Sequence, residues 1–294
     1  MKLGIAFAGG GLKGIAYIGA IKALEELGIR PDFMSGTSSG SMTTALYASG
    51  YSCDEMKELI YKSYKRLIKI EKRPIITSVG SYLTSRKLKL KGLIPGERLE
   101  EFIQKSVEKK GCKSISDVKI PLAIATVDTI STKECIFLSQ DYGLENGEID
   151  YLYDIPIGKV VRSSMAFPGI FTTSTIGKYN FIDGGTRDNL PVKVLKDIGA
   201  DITIGLSFKL DDYDAKDENV LGIILRTVDI FSLKDVRAAQ KEADLAIEID
   251  AKGTSLMVID DVEKCIDIGY NAIMENKERI LEVINRKWEK DYIE

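Results

Sequence analysis

The stretch Gly36-Thr37-Ser38-Ser39-Gly40 follows a short apolar approach, Phe33-Met34, and leads into a run of small and apolar residues (Ser41, Met42, Ala45, Leu46, Ala48). Its Gly-x-Ser-x-Gly spacing predicts a sharp strand-to-helix turn. Such a turn crowds side chains together, and glycine tolerates both the crowding and the unusual backbone angles. Ser38 at its apex would hold its hydroxyl out at the positive end of a helix. The pattern is weak by itself, so its surroundings decide what it means.

Upstream, Leu3–Ala8 reads as a buried strand that runs into Gly9-Gly10-Gly11-Leu12-Lys13-Gly14, followed by a helix closed by Gly28. Strand, turn and helix recur over 32–48, which predicts a parallel α/β layout. Downstream, the patterning predicts helices over 54–70, 97–110, 156–167 and 191–198. Strands are expected over 121–129, 133–138, 181–182 and 201–207. Helices over 219–231 and 233–241, a strand over 245–249 and a long charged helix over 261–290 complete the chain. No repeat or linker interrupts the 294 residues, so 1–294 reads as one α/β domain with a helical tail.

The net charge of −3 argues against nucleic acid as a general partner. No segment reaches the ~18 unbroken apolar residues of a membrane span, and the N-terminus lacks the cleavage region of a signal peptide. Four scattered cysteines without a Cys-x-x-Cys pair suggest reduced thiols and a cytoplasmic setting. The acidic run 211–218 lacks a calcium loop's glycine and spacing and reads as a solvated connector. One local exception to the acidic balance is 61–91, where ten basic residues face only Glu71, with apolar residues interleaved. This is either a solvated helix face and loop, or a lid-like flap (about 61–95) leaning on an anionic membrane.

The chain has no histidine. That excludes a Ser-His-Asp triad or Cys-His pair within it, and removes the usual zinc ligands. The loop 9–14 contains Gly-x-Gly-x-x-Gly, as dinucleotide-binding domains do, but Asp32 stands at the start of the second strand where they need an acid at its end. The alternative is an oxyanion hole, since successive glycines let backbone N–H groups converge at a helix N-terminus. Asp183, between Phe181-Ile182 and Gly184-Gly185, could take a serine proton directly. Asp-Gly-Gly by itself is commonly a turn.

Taken together, these motifs resemble the patatin-like phospholipases, whose pattern is a Gly-Gly-Gly-x-Lys/Arg-Gly loop, a Gly-Thr-Ser-x-Gly elbow and a later Asp-Gly-Gly/Ala. They occur here in that order at 9–14, 36–40 and 183–185. Ser164-x-Ala166-x-Pro168-x-x-Phe171 and Asn189-x-Pro191-Val192 also match, and the resemblance spans 3 to about 207. It implies a three-layer fold with a mostly parallel sheet, and a serine esterase with a Ser–Asp dyad that needs no cofactor or metal. Ser38 would be the nucleophile and Asp183 the base. Gly10, Gly11 and Leu12 would supply oxyanion amides, joined by Ser39 from general elbow geometry. Gly9, Lys13, Gly14, Gly36, Gly40, Gly184 and Gly185 would support the motifs, with Lys13 either holding the loop or meeting a lipid phosphate. Ser39 stands where the family frequently has alanine or threonine. The expected substrate is a phospholipid, lysophospholipid or related ester. The competing readings are a silent lipid-binding protein and a dinucleotide-dependent oxidoreductase.

Overall fold

The computed structural model describes residues 1–67, 94–210, 220–252 and 262–293. Positions 68–91 of the basic segment and the acidic run 211–218 lie outside the described residues. The first strand, β1 (Leu3–Phe7), is buried throughout. Its side chains alternate between two cores: Leu3, Ile5 and Phe7 enter one, and Ala6 and Ala8 enter the other. A strand with apolar groups on both faces belongs inside a sheet covered on both sides.

β1 pairs in parallel with β2 (Phe33–Thr37) on one side and β8 (Ile202–Phe208) on the other. Beyond them, β3 (Leu122–Asp128) joins β2, and β9 (Leu245–Ile249) joins β8, both in parallel. β4 (Glu134–Leu138) turns back antiparallel to β3, and β5 (Ile149–Tyr153) runs parallel to β4 at the edge. The sheet order is therefore β5-β4-β3-β2-β1-β8-β9, mostly parallel. A hairpin of β6 (Ser174–Ile176) and β7 (Tyr179–Asp183) attaches antiparallel to the end of β3.

Helices α1 (Ala16–Glu26) and α2 (Ser39–Ala48) follow β1 and β2. They are joined by α3 (Cys53–Leu67), α4 (Glu97–Glu108), α5 (Ile157–Ser164) and a short α6 (Lys193–Asp197). The larger core holds residues of α1 to α5, and the smaller one gathers around α6. No helix among the described residues is long and apolar enough to cross a membrane.

The C-terminal region departs from expectation. Residues Val220–Glu242 form one helix, α7, rather than two broken near 232. Ser232 bonds back to the Asp229 carbonyl within the turn, so its polar side chain does not end the helix. Conversely, the long tail is two helices, α8 (Val262–Glu275) and α9 (Lys277–Ile293). They part at Asn276, whose side-chain amide bonds back to the Ala272 carbonyl while its own carbonyl accepts the Ile280 N–H. The strands β5 and β6 also carried no expectation.

Candidate active site

Ser38 joins β2 to α2 with φ 51° and ψ −122°, left-handed angles that cost a non-glycine residue of order 1–3 kcal/mol. The turn is held from several directions. The Ser38 N–H donates to Ser164 Oγ at 2.9 Å, and that hydroxyl donates to the Ala125 carbonyl at 2.7 Å. The Ser38 carbonyl accepts from Ser41 Oγ at 2.5 Å. A side chain at Gly40 would run into the Phe7 carbonyl, and one at Gly36 would meet the Gly40 backbone, so both glycines are required by close approach.

The glycine loop begins a tight 3₁₀ turn, Gly11–Ile15, that leads into α1. Gly11 has φ 58°, which glycine adopts without penalty. Asn189 Oδ1 accepts the Gly9 N–H at 3.0 Å, and Ser39 Oγ accepts the Gly10 N–H at 3.1 Å. Gly10 therefore spends its amide on tying the loop to α2. Gly11 and Leu12 stand at the start of the turn, where the first N–H groups lack partners within a helix. Lys13 is 4% exposed and its carbonyl meets Cys265 Sγ, which places it in the packing of the loop.

The sheet register brings Asp183 to this turn. On β3, Ala125 pairs with Thr37, the last residue of β2, and the next residue, Thr126, pairs with Asp183 at the end of β7. β7 thus takes up the β3 edge where β2 leaves it, and Asp183 lands beside the position after Thr37, which is Ser38. A side chain at Gly184 would strike the Ala125 carbonyl. Asp183 Oδ1 accepts the Gly185 N–H at 2.8 Å, whereas the buried Oδ2 has no hydrogen-bond partner. Burial pushes the carboxyl up to about 6, against the opposing pull of the Ser38 hydroxyl and the Gly185 N–H.

Ser38 and Asp183 open onto one cavity of about 170 Å³. Gly9, Gly10, Gly11, Leu12, Ser39 and Gly185 border it, and Met42, Ile60, Leu99, Phe167, Ile170 and Val228 give it an apolar wall. Lys13, Gly14, Gly36, Gly40 and Gly184 stand behind the turns and do not line it. The lining is mostly apolar around the two polar side chains. The model of the patatin-like phospholipase family matches residues 5–196. This chain belongs to that family.

Its patatin-like relatives include YqhO of Bacillus subtilis, a protein of uncharacterised function that is 29% identical over 199 residues. That match covers 63% of this chain and 64% of YqhO. Lysophospholipase NTE1 of Coccidioides immitis is 30% identical over 218 residues, 74% of this chain but 12% of that protein. The chain thus spans less than two thirds of the first relative and about an eighth of the second. Among solved structures, VipD from Legionella pneumophila aligns with a TM-score of 0.52 at 15% identity, covering 93% of this chain and 66% of VipD. That likeness is one of fold.

Three residues near the site carry more than the sequence revealed. Ser164 was legible as part of a helix-end motif, but not as the acceptor for the Ser38 amide. Ser39 was read as a departure and an amide donor, yet its hydroxyl anchors the glycine loop. Asp188 had no signal at all. Its carbonyl accepts from Thr37 Oγ1 at 2.8 Å, and its carboxyl is raised well above the usual range, first by burial and then by the neighbouring Glu134.

Proposed function

We propose that this chain is a serine hydrolase of lipid esters, acting through an acyl-enzyme on Ser38 with Asp183 as the base. The observation that carries this reading is the unpartnered, buried Oδ2 of Asp183 in the same apolar cavity as a serine held in strained geometry. A buried acceptor without a partner costs about 1–3 kcal/mol, and a serine proton would satisfy it. In the first half-reaction, Ser38 Oγ attacks the ester carbonyl carbon while its proton passes to Asp183. The carbonyl oxygen becomes an oxyanion facing the amides of Gly11 and Leu12, with the Ser39 N–H as a further donor. Collapse breaks the ester C–O bond, and the leaving alkoxide takes the proton from Asp183. Water then attacks the acyl-enzyme, gives its proton to Asp183, and the fatty acid leaves as Ser38 regains that proton.

The apolar wall suits the acyl chain, and lysophospholipase activity named for NTE1 supports a phospholipid or lysophospholipid as substrate. The test is product analysis on defined phospholipids, lysophospholipids and neutral esters, together with fluorophosphonate labelling. Release of fatty acid and labelling at Ser38, both abolished in Ser38→Ala, is the expected result. Undiminished hydrolysis by Ser38→Ala would sink the mechanism. Lipid binding without labelling or turnover would instead identify a silent lipid-binding protein.

A further inference from the structure

Helix α7 has two faces with different chemistry. Val228, Ser232, Val236 and Gln240 recur every fourth residue on the inner side; the first two line cavities at the glycine loop, and the last two line the adjoining groove. Ile223, Thr227, Ile230, Lys234, Arg237 and Lys241 alternate at steps of four and three, which places them along one outer stripe, with Arg237 at its edge also bordering the groove. Every one of these outer residues is exposed. Ile223 is 47% exposed and Ile230 58%, and Phe231 beside them is 70% exposed. The stripe is thus apolar toward the N-terminal half of the helix and cationic toward its C-terminal half. Asp235 and Glu242 lie on its flank, and Asp229 is turned toward the cavity.

Helix α3 repeats the arrangement on a smaller scale. Ile60 lines the same cavity as Val228, while its neighbour Tyr61 is 71% exposed. Two elements that wall the cavity therefore each present a large aromatic residue to the outside. Water is a poor environment for such groups, whereas a bilayer interface accepts aromatic and aliphatic side chains at its boundary and cations among its phosphates. Because the whole chain is net negative, attraction to an anionic surface must come from a local stripe such as this one.

We propose that the outer stripe of α7, with Phe231 as its main anchor, seats the chain on an anionic lipid surface, with the cavity walled by the inner face of the same helix. The inference builds on the lipid-hydrolase reading, since it explains how a lipid ester reaches Ser38. It differs from the expectation for 61–91, because the contact is made by a helix on the opposite side of the sequence.

Purified full chain is sedimented with sucrose-loaded vesicles of phosphatidylcholine, with and without phosphatidylglycerol. The chain should bind vesicles containing phosphatidylglycerol. Ile230→Glu/Phe231→Glu should weaken this binding by about tenfold or more. Lys234→Glu/Arg237→Glu should remove the preference for anionic vesicles while turnover of a soluble short-chain ester is unchanged. A Phe231→Trp chain should shift its added emission to the blue with vesicles, a readout that requires no loss of fold. Vesicle binding unchanged in both variant pairs, or absent from the wild type, overturns the proposal. So does a dimer in gel filtration that Phe231→Glu splits, which would show that a second copy covers the stripe. Ser38→Ala must keep the vesicle binding, so failure of the hydrolase reading and failure of this one give different results.

Discussion

Asp128 and Asp183 end two strands that pair with each other, and each is 2% exposed. Asp128 Oδ1 accepts the Asn180 N–H at 2.8 Å, and its Oδ2 accepts the Ser131 N–H at 2.8 Å and Ser131 Oγ at 2.7 Å. Burial would raise its carboxyl, yet these donors outweigh burial and hold it below the ordinary value. Asp183 has one hydrogen bond, from the Gly185 N–H, and the pull of the nearby Ser38 hydroxyl; no hydrogen bond forms at its Oδ2, and burial wins. The same side chain in the same sheet is held more acidic or made more basic than usual according to the number of donors it meets.

The sharpest way to break this contrast is to swap each acid for its amide. Asp183→Asn should lower kcat/KM for an ester by about a thousandfold or more, as removal of a member of a catalytic unit does. Asp128→Asn should retain activity near the wild-type level. Equal losses in the two variants would refute the assignment of roles. The next largest effect is on pH dependence. If Asp183 must be ionised, kcat/KM falls tenfold per unit of pH below about 6, roughly a hundredfold by pH 4. A rate constant across that range would exclude this carboxylate as the base.

Stability should move in opposite directions at the two sites. The native chain binds the Asp183 proton more tightly than the unfolded chain does, so stability declines as pH rises from about 4 to about 6 and stays lower above. Asp183→Asn removes that penalty and should stabilise the neutral-pH fold by up to about 3 kcal/mol. Asp128→Asn leaves one oxygen to serve donors that now use two, and should cost about 1–3 kcal/mol. Denaturant titrations at pH 5 and pH 7.5 measure both. The smallest expected effect belongs to Ser164→Ala, which strips the Ser38 N–H of its acceptor. A loss of about tenfold in kcat with KM unchanged, recovered by Ser164→Thr, would mark Ser164 as a positioning residue.

Backbone requirements were legible in the sequence. Gly36 is dictated by how closely β2 passes α2, Gly40 by how closely α2 passes β1, and Gly184 by its approach to Ala125, so glycine spacing reported geometry directly. The continuous apolar run of β1 likewise marked a buried strand. Serine hydroxyls were not legible in this way. Ser39 and Ser164 take their meaning from partners far away in sequence, and nothing in a local pattern distinguishes an anchoring hydroxyl from a solvated one. β5 was missed because Ile149, Asp150, Tyr151, Leu152 and Tyr153 mix polar and aromatic groups, all half-buried at a sheet edge. The misplaced breaks in α7 and at Asn276 have a common cause. Within a helix Ser232 and Asn276 both bond back to the preceding turn, but only Asn276 stands where one helix gives way to another.

The register on β3 has a consequence for synthesis. β2 and its serine leave the ribosome long before β7 does. At ordinary elongation rates the interval is on the order of ten seconds. Under the proposed mechanism, Ser38 would lack its base throughout that interval, and the nascent chain would have no esterase activity. On that reading, competence would arrive only when residue 183 reaches the free edge that β2 leaves on β3. Strand pairing would then act as a timer, delaying reactivity until most of the sheet has been made.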